Sequence, residues 1–219
     1  MGKERAWRQA RSRLIAMARL LVHVEGQTEE SFVNEVLRNH LVGKGYHSVD
    51  ARIIGNARLR HYRGGIRPWP SARKDIINHL REDQECIATT MVDYYGLPQI
   101  APREWPGRAR SKRMSTVEEK APCVQDALRD DVVTEMGNRF DSDRFMPFVV
   151  MHEFEGLLFS DCAAFSRGIG RSDLDVSLRE IRNDFTTPEE INDSPITAPS
   201  KRVDWCLVIR SLCSASLPS

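Results

Sequence analysis

The sequence predicts an α/β fold, a mainly parallel four-stranded sheet flanked by helices, with a small C-terminal helical extension. Four short apolar runs, three of them rich in β-branched residues, alternate with segments whose apolar residues recur every three or four positions. Such alternation is typical of parallel strands joined by crossover helices. No internal repeat is present to suggest a solenoid.

The first half of this pattern begins at residue 20. A strand is predicted at 20–25, and Gly26 turns the chain into a helix with Glu29 and Glu30 in its first turn. These two glutamates are expected either to stabilise the helix N-terminus or to serve as secondary metal or water contacts. The apolar face of this helix is predicted to hold Phe32, Val33, Val36, Leu37, His40 and Leu41.

The second half of the pattern supplies three more strands. Ser71 is a plausible N-cap for one helix, and Pro122 is expected near the first turn of another. Pro147 favours an edge position for the last strand or a place at its beginning. The predicted strands span 48–54, 86–92 and 145–151, and the predicted helices span 71–83 and 122–138.

Composition limits the class of protein. The chain has 219 residues, 41% of them hydrophobic and 29% charged, which is typical of a globular protein. Its five cysteines are scattered without a C-x-x-C pair, which disfavours a disulfide framework or a zinc site and favours the cytoplasm. No apolar run is long enough for a membrane span and no secretory signal is evident, so no membrane partner is expected.

Three segments are predicted along the chain: a basic N-terminal extension at 1–16, an α/β domain at 17–165 and a C-terminal extension at 166–219. The basic extension is expected to be solvated rather than a nucleic-acid-binding arm, and Met17 is an alternative natural start. The tail from Val203 has no clear amphipathic pattern.

Basic residues are concentrated in one segment. From Arg52 to Lys74 there are seven basic residues and no acidic one. Interleaved aromatic residues suit phosphate backbones and stacked bases, although a solvated basic loop explains the pattern equally well. A second loop, 99–120, is rich in Pro, Arg and Gly and is predicted to be a long functional or disordered loop. The candidate nucleic-acid-binding residues are Arg58, Arg60, Arg63, Arg67, Lys201 and Arg202.

Acidic residues follow three of the four predicted strands: Glu25, then Asp93, then Glu153 or Glu155. In parallel α/β sheets the carboxyl ends of the strands meet at one edge, where ligands bind. Gathered carboxylates repel one another unless a cation lies between them, and all-oxygen ligands select Mg²⁺, Mn²⁺ or Ca²⁺. Each carboxylate alone would more simply be a helix cap or an ion-pair partner, but three at equivalent positions predict a metal site.

Other motifs exclude some chemistries. The segment from His152 to Glu155 reads H-E-F-E, which is not the H-E-x-x-H pattern of zinc proteases. His152 is equally compatible with a structural role and with acid–base catalysis. The chain has no G-x-x-x-x-G-K-[ST] motif, which excludes a P-loop ATPase.

Three stretches of the sequence are VEGQTEE at 24–30, VDYYGLP at 92–98 and HEFEGLLFSD at 152–161. Together they resemble a bacterial family, domain of unknown function family 4276, over roughly 18–202. The tail after Arg202 departs from the family pattern, which suggests truncation or a frame shift. The family is a Toprim-like group similar to the nuclease domains of overcoming-lysogenization-defect proteins. The first glutamate of the Toprim pattern maps onto Glu25, and the aspartate after the third strand maps onto Asp93.

The resemblance implies a Toprim-like sheet and a nuclease that uses Mg²⁺ or Mn²⁺ to hydrolyse phosphodiester bonds in DNA or RNA. Glu25, Asp93, Glu153 and Glu155 are the expected metal-binding and catalytic residues. A phage-defence or mobile-element setting with an ATPase partner is implied more weakly. Topoisomerase and primase activities are disfavoured, because Asp93 is followed by Tyr94-Tyr95 and the second aspartate of the D-x-D pattern is absent. The alternative is a non-catalytic Toprim-like module that docks onto an ATPase partner.

Overall fold

A computed structural model describes residues 18–55, 66–151, 154–168, 170–191 and 202. The chain divides into two compact units, residues 1–150 and 151–219. This division comes earlier than the predicted bound at residue 165, because Phe159 packs in one apolar cluster with Leu174 and Leu178 of the second unit. The predicted extension at 1–16 lies outside the described residues.

The first unit contains a four-stranded sheet in which every pair of neighbours is parallel, as predicted. The strand order is β2-β1-β3-β4, so the chain moves from β1 to one side and later returns to the other. The strands are β1 (Arg19–Val24), β2 (Ser48–Ile53), β3 (Cys86–Asp93) and β4 (Val149–Val150).

Helices follow each of the first three strands. Two of them begin earlier than predicted, at Trp69 rather than Ser71 and at Val117 rather than Pro122. A proline is tolerated in the first turn, where its missing N–H has no helical acceptor, so Pro70 does not delay the helix. The helices of this unit are α1 (Gln27–Phe32), α2 (Arg38–Val42), α3 (Trp69–Glu82), α4 (Arg108–Ser111) and α5 (Val117–Met136).

The pairing of β3 with β4 is completed by side chains. Strand β4 has two residues rather than the predicted seven of 145–151, because Pro147 has no N–H to donate. The Thr90 hydroxyl compensates, since it accepts a hydrogen bond from the Phe148 N–H (3.0 Å) and donates one to the Phe148 carbonyl (2.8 Å). The predicted edge position is confirmed, and the side chain of Thr90 extends the ladder past the proline.

The outer edge of β2 is covered by the helical segment that follows β1. The Ala51 N–H donates to the side chain of Asn34 (3.2 Å), and Arg38 Nε donates to the Val49 carbonyl (2.9 Å). A π-helical segment, Val33–Leu37, separates α1 from α2 and rotates the apolar face relative to a regular helix. Val36 is consequently 56% exposed, so the predicted apolar face is only partly correct.

A buried histidine on β1 pairs with a histidine on α3. His23 is 1% exposed, and its Nδ1 donates to the Thr89 carbonyl (3.2 Å). Its Nε2 therefore accepts from Nδ1 of His79 on α3 (3.1 Å). Burial and, secondarily, the charge of His79 lower the pKa of His23 to about 3, so both nitrogens are satisfied by a neutral ring.

The second unit is helical, in agreement with the predicted C-terminal extension. Its core packs Phe159, Cys162, Leu174, Leu178 and Ile191 together. Its helices are α6 (Cys162–Gly168) and α7 (Asp175–Asn183), accompanied by 3-10 turns at Phe154–Asp161, Ser172–Leu174 and Pro188–Ile191. Within the described parts of the chain, no helix is both long and apolar enough to cross a membrane.

Candidate metal centre

The carboxyl ends of β1 and β3 lie side by side. Their register pairs Val24 with Met91, so Glu25 follows β1 at the level where β3 is about to end at Asp93. The chain leaves β1 toward β2 on one side and returns to β3 on the other, which makes this the topological switch point of the sheet. A crevice forms at such a point because the two connecting helices diverge, and ligands of open α/β sheets bind there.

Gly96 shows how close the two acidic side chains are. A β-carbon built on Gly96 would lie 3.6 Å from Oε2 of Glu25 and 3.9 Å from Cβ of Asp93. Both acidic residues therefore border the same short stretch of backbone in the 3-10 turn Tyr94–Gly96. Glu25 and Asp93 are thus brought together, as the sequence predicts.

The pair of carboxylates predicted after the fourth strand, Glu153 and Glu155, lies largely outside the described residues. Glu153 is outside the described residues, and only the backbone of Glu155 is described, in the 3-10 turn Phe154–Asp161. Among the residues that the structure does describe, no three or more His, Cys, Asp or Glu side chains are grouped so that they could hold a metal ion. The described part of the site therefore offers two acidic residues at one turn, Glu25 and Asp93. Their metal-binding role and the roles of Glu153 and Glu155 stay predictions.

Two neighbouring carboxylates suit Mg²⁺ and Mn²⁺ chemically. Mg²⁺ is usually bound through one or two carboxylates and keeps its remaining positions for water and substrate phosphates. Glu25 and Asp93 supply hard oxygen donors, which Mg²⁺ and Mn²⁺ prefer. The donor set fits the predicted ion.

Glu29 has a structural role at the start of α1, next to the carboxyl end of β1. Its Oε2 accepts a hydrogen bond from the Gly26 N–H (3.1 Å) and so satisfies a backbone donor at the start of α1. Of the two roles that the sequence left open for Glu29, stabilisation of the helix N-terminus is the one observed.

Arg67 is the predicted basic residue that the structure describes at this edge of the sheet. Its side chain lies across Gly55, just beyond β2, where a β-carbon would come within 2.9 Å of Arg67 Nε. Gly55 has a φ of +97°, which also favours glycine. The Gly55 N–H donates to Asp75 (3.0 Å), which fixes the backbone beneath the guanidinium.

Of the other predicted basic residues, the structure describes Arg202. Arg202 belongs to the second unit, where its guanidinium carbon lies 5.0 Å from the ring centroid of Phe185. The remaining candidates, Arg58, Arg60, Arg63 and Lys201, lie outside the described residues.

The loop after β3 is fixed by residues that sequence reasoning missed. Arg108 is 3% exposed, its Nε donates to the Tyr94 carbonyl (2.8 Å), and its guanidinium carbon lies 3.8 Å from the centroid of the Tyr94 ring. The Tyr94 hydroxyl shares a hydrogen bond with Ser111 Oγ (2.8 Å). Of the two predictions for the loop at 99–120, functional or disordered, disorder is wrong, because Trp105 is also fully buried and its Nε1 donates to the Arg67 carbonyl (2.9 Å).

No sequence signal singles out Arg108, because it is one of five basic residues between Arg103 and Arg113. Its contacts hold the backbone directly after Asp93, and burial lowers the pKa of its guanidinium. Tyr95, the next residue, is 56% exposed and packs edge-on against Tyr94 with 5.1 Å between ring centroids.

A comparison with protein families gives one match. The model of the family described as Domain of unknown function (DUF4276) matches residues 24–210, which includes Glu25, Asp93 and Tyr95. Searches among curated proteins and among solved structures gave no match.

Proposed function

The chain belongs to the family described as Domain of unknown function (DUF4276), and we propose that it is a divalent-metal-dependent nuclease. It would hydrolyse phosphodiester bonds of nucleic acid at the carboxyl ends of β1 and β3. The single observation that carries the proposal is the approach of Glu25 and Asp93 to Gly96 at the switch point of a parallel sheet. A ligand site is expected there from topology alone, and two carboxylates restrict the ligand to a hard cation or a group that a cation binds.

In this proposal Glu25 and Asp93 hold Mg²⁺ or Mn²⁺, and Glu153 and Glu155 complete the site. When bound, such an ion lowers the pKa of a water molecule and neutralises charge on the phosphate. Arg67 lies beyond β2, next to β1 in the strand order, and carries the positive charge that a phosphate backbone requires. Arg58, Arg60, Arg63, Lys201 and Arg202 are proposed to extend this backbone contact.

Three finer statements belong to the same proposal. The site is related to Toprim-like domains, the nuclease works in the cytoplasm, and it acts beside an ATPase partner in phage defence or in a mobile element. The motifs around Glu25 and Asp93 support the first statement, and the scattered cysteines support the second. The third follows only from the family resemblance.

The test is a cleavage assay on plasmid, single-stranded DNA and total RNA, in Mg²⁺, in Mn²⁺ and in EDTA. Glu25→Gln and Asp93→Asn are each expected to reduce cleavage by about 100-fold or more, because each removes a charged ligand at nearly constant shape. Glu82→Gln is the matched control, since Glu82 is exposed at the end of α3, before β3 begins.

Cleavage that survives both Glu25→Gln and Asp93→Asn would overturn the assignment. Stabilisation by Mn²⁺ without any cleavage, together with stable co-purification of an ATPase, would instead favour the non-catalytic docking module.

A further inference from the structure

An exposed aromatic ring stands next to the two carboxylates. Tyr95 directly precedes Gly96, the residue that Glu25 and Asp93 border, and 56% of its surface is exposed. Large aromatic side chains are usually buried, and Tyr94 and Trp105 in the same segment are 2% and 0% exposed. The exposure of Tyr95 is therefore specific to that position in the loop.

The ring of Tyr95 rests on a fixed base. It meets the Tyr94 ring at an interplanar angle of 90°, with 5.1 Å between the ring centroids, and more than half of its surface stays exposed. Tyr94 is in turn held by the guanidinium of Arg108 and by the Ser111 hydroxyl. A ring held in this way loses little conformational freedom when a flat ligand stacks on it.

The charges around Tyr95 suit a nucleotide. A metal ion on Glu25 and Asp93 would bind a phosphate, and Arg67 supplies a cation at the same edge of the sheet. The base attached to that phosphate then needs an apolar surface close by, and Tyr95 is two residues from Asp93. A base within a duplex is already stacked and paired, so only an unpaired base is available to a single ring.

We propose that Tyr95 is a base-stacking platform and that the site binds single-stranded nucleic acid through an unpaired base beside the metal-bound phosphate. This inference rests on the proposed function and narrows it, because it names the substrate class. Aromatic stacking does not depend on base identity, so little sequence preference is expected from this contact.

The experiment measures binding by fluorescence anisotropy in Ca²⁺, with gels to verify that each probe stays intact. The probes are a short labelled oligothymidylate, an oligouridylate, a backbone of equal length with abasic residues, and a duplex. The variants are Tyr95→Ala and Tyr95→Phe, with Ile100→Ala as control, because Ile100 is 80% exposed in the loop after Tyr95. Both positions are exposed, so the three variants are expected to fold as the wild type does.

Wild type is expected to bind both single-stranded probes at least about 10-fold more tightly than the abasic and duplex probes. Tyr95→Ala should lose this preference, whereas Tyr95→Phe and Ile100→Ala should keep it. The RNA and DNA arms show which sugar is accepted, and either result is compatible with stacking.

Equal binding of duplex and single-stranded probes by the wild type would contradict the proposal that Tyr95 stacks on an unpaired base. An unchanged preference of Tyr95→Ala for the single-stranded probes would contradict it as well. If Asp93→Asn still abolishes cleavage in that case, the nuclease proposal stands while the stacking proposal falls. Conversely, a Tyr95-dependent preference for unpaired bases without any metal-dependent cleavage would support the stacking proposal and contradict the nuclease proposal.

Discussion

Two ionisable residues, His23 near the end of β1 and Glu25 just beyond it, differ in almost every physical respect, although only Val24 separates them. His23 is inside the sheet, neutral and hydrogen-bonded to both Thr89 and His79. Glu25 is beyond the end of the strand, only partly buried and beside Asp93 at Gly96. The difference shows that the interior of this sheet and its carboxyl rim are built for different purposes.

Polar groups in the interior complete the backbone. Thr90 restores a ladder contact that Pro147 interrupts, and His23 caps the Thr89 carbonyl. The rim instead gathers carboxylates, an exposed ring and a guanidinium. Changes in the interior should therefore alter stability, whereas changes at the rim should alter binding and leave stability nearly constant.

The largest expected effect separates two aromatic residues of one loop. Trp105→Ala should reduce the free energy of unfolding by about 3–5 kcal/mol, because it leaves a cavity under Trp69 and an unpaired Arg67 carbonyl. Tyr95→Ala, at the rim, should change it by about 1 kcal/mol or less. Urea unfolding measures both, and equal losses would contradict the distinction between interior and rim.

The next effect is a pH dependence that originates at His23. The pKa of His23 is lowered from 6.5 to about 3, so below pH 6.5 the unfolded chain binds a proton that the folded chain excludes. Stability is therefore complete above pH 6.5 and decreases as the pH falls toward 3. Between pH 7 and pH 5 the loss should be about 2 kcal/mol for this group.

His23→Gln is the control for this change of the free energy of unfolding with pH. Glutamine can still donate to the Thr89 carbonyl but does not titrate. Urea unfolding at pH 7, 6 and 5 should give a shallower slope for the variant than for the wild type. Identical slopes would show that His23 is protonated in the folded chain or that acid unfolding begins elsewhere.

Much of the architecture could be predicted from patterns, because strand, turn and helix signals are local. All four strands occur in the predicted order and the sheet is parallel. Errors arose where a distant contact decides the outcome. Pro147 shortens β4 while Thr90, on another strand, repairs the ladder, and the π-helical segment at Val33–Leu37 exposes Val36.

The site divides in the same way. Glu25 and Asp93 could be predicted, because each ends a strand and parallel strands end at one edge. Arg108 could not be predicted, since its importance comes from burial against Tyr94 rather than from any spacing in a loop with many arginines. Disorder was one of the two expectations for the loop rich in Pro, Arg and Gly at 99–120, yet Trp105 and Arg108 are buried and anchor it to the unit.

The smallest expected change in stability tests the rim directly. In EDTA, Glu25→Gln and Asp93→Asn should each alter the free energy of unfolding by only about 0.5 kcal/mol, as partly exposed residues do.

In wild type, Mn²⁺ at about 100 times its dissociation constant should add about 2.7 kcal/mol to the free energy of unfolding, and both variants should lose this gain. Glu82→Gln should keep it. A gain that persists in both variants would locate the ion elsewhere, and a large loss of stability in EDTA would make these carboxylates part of the interior framework, like His23.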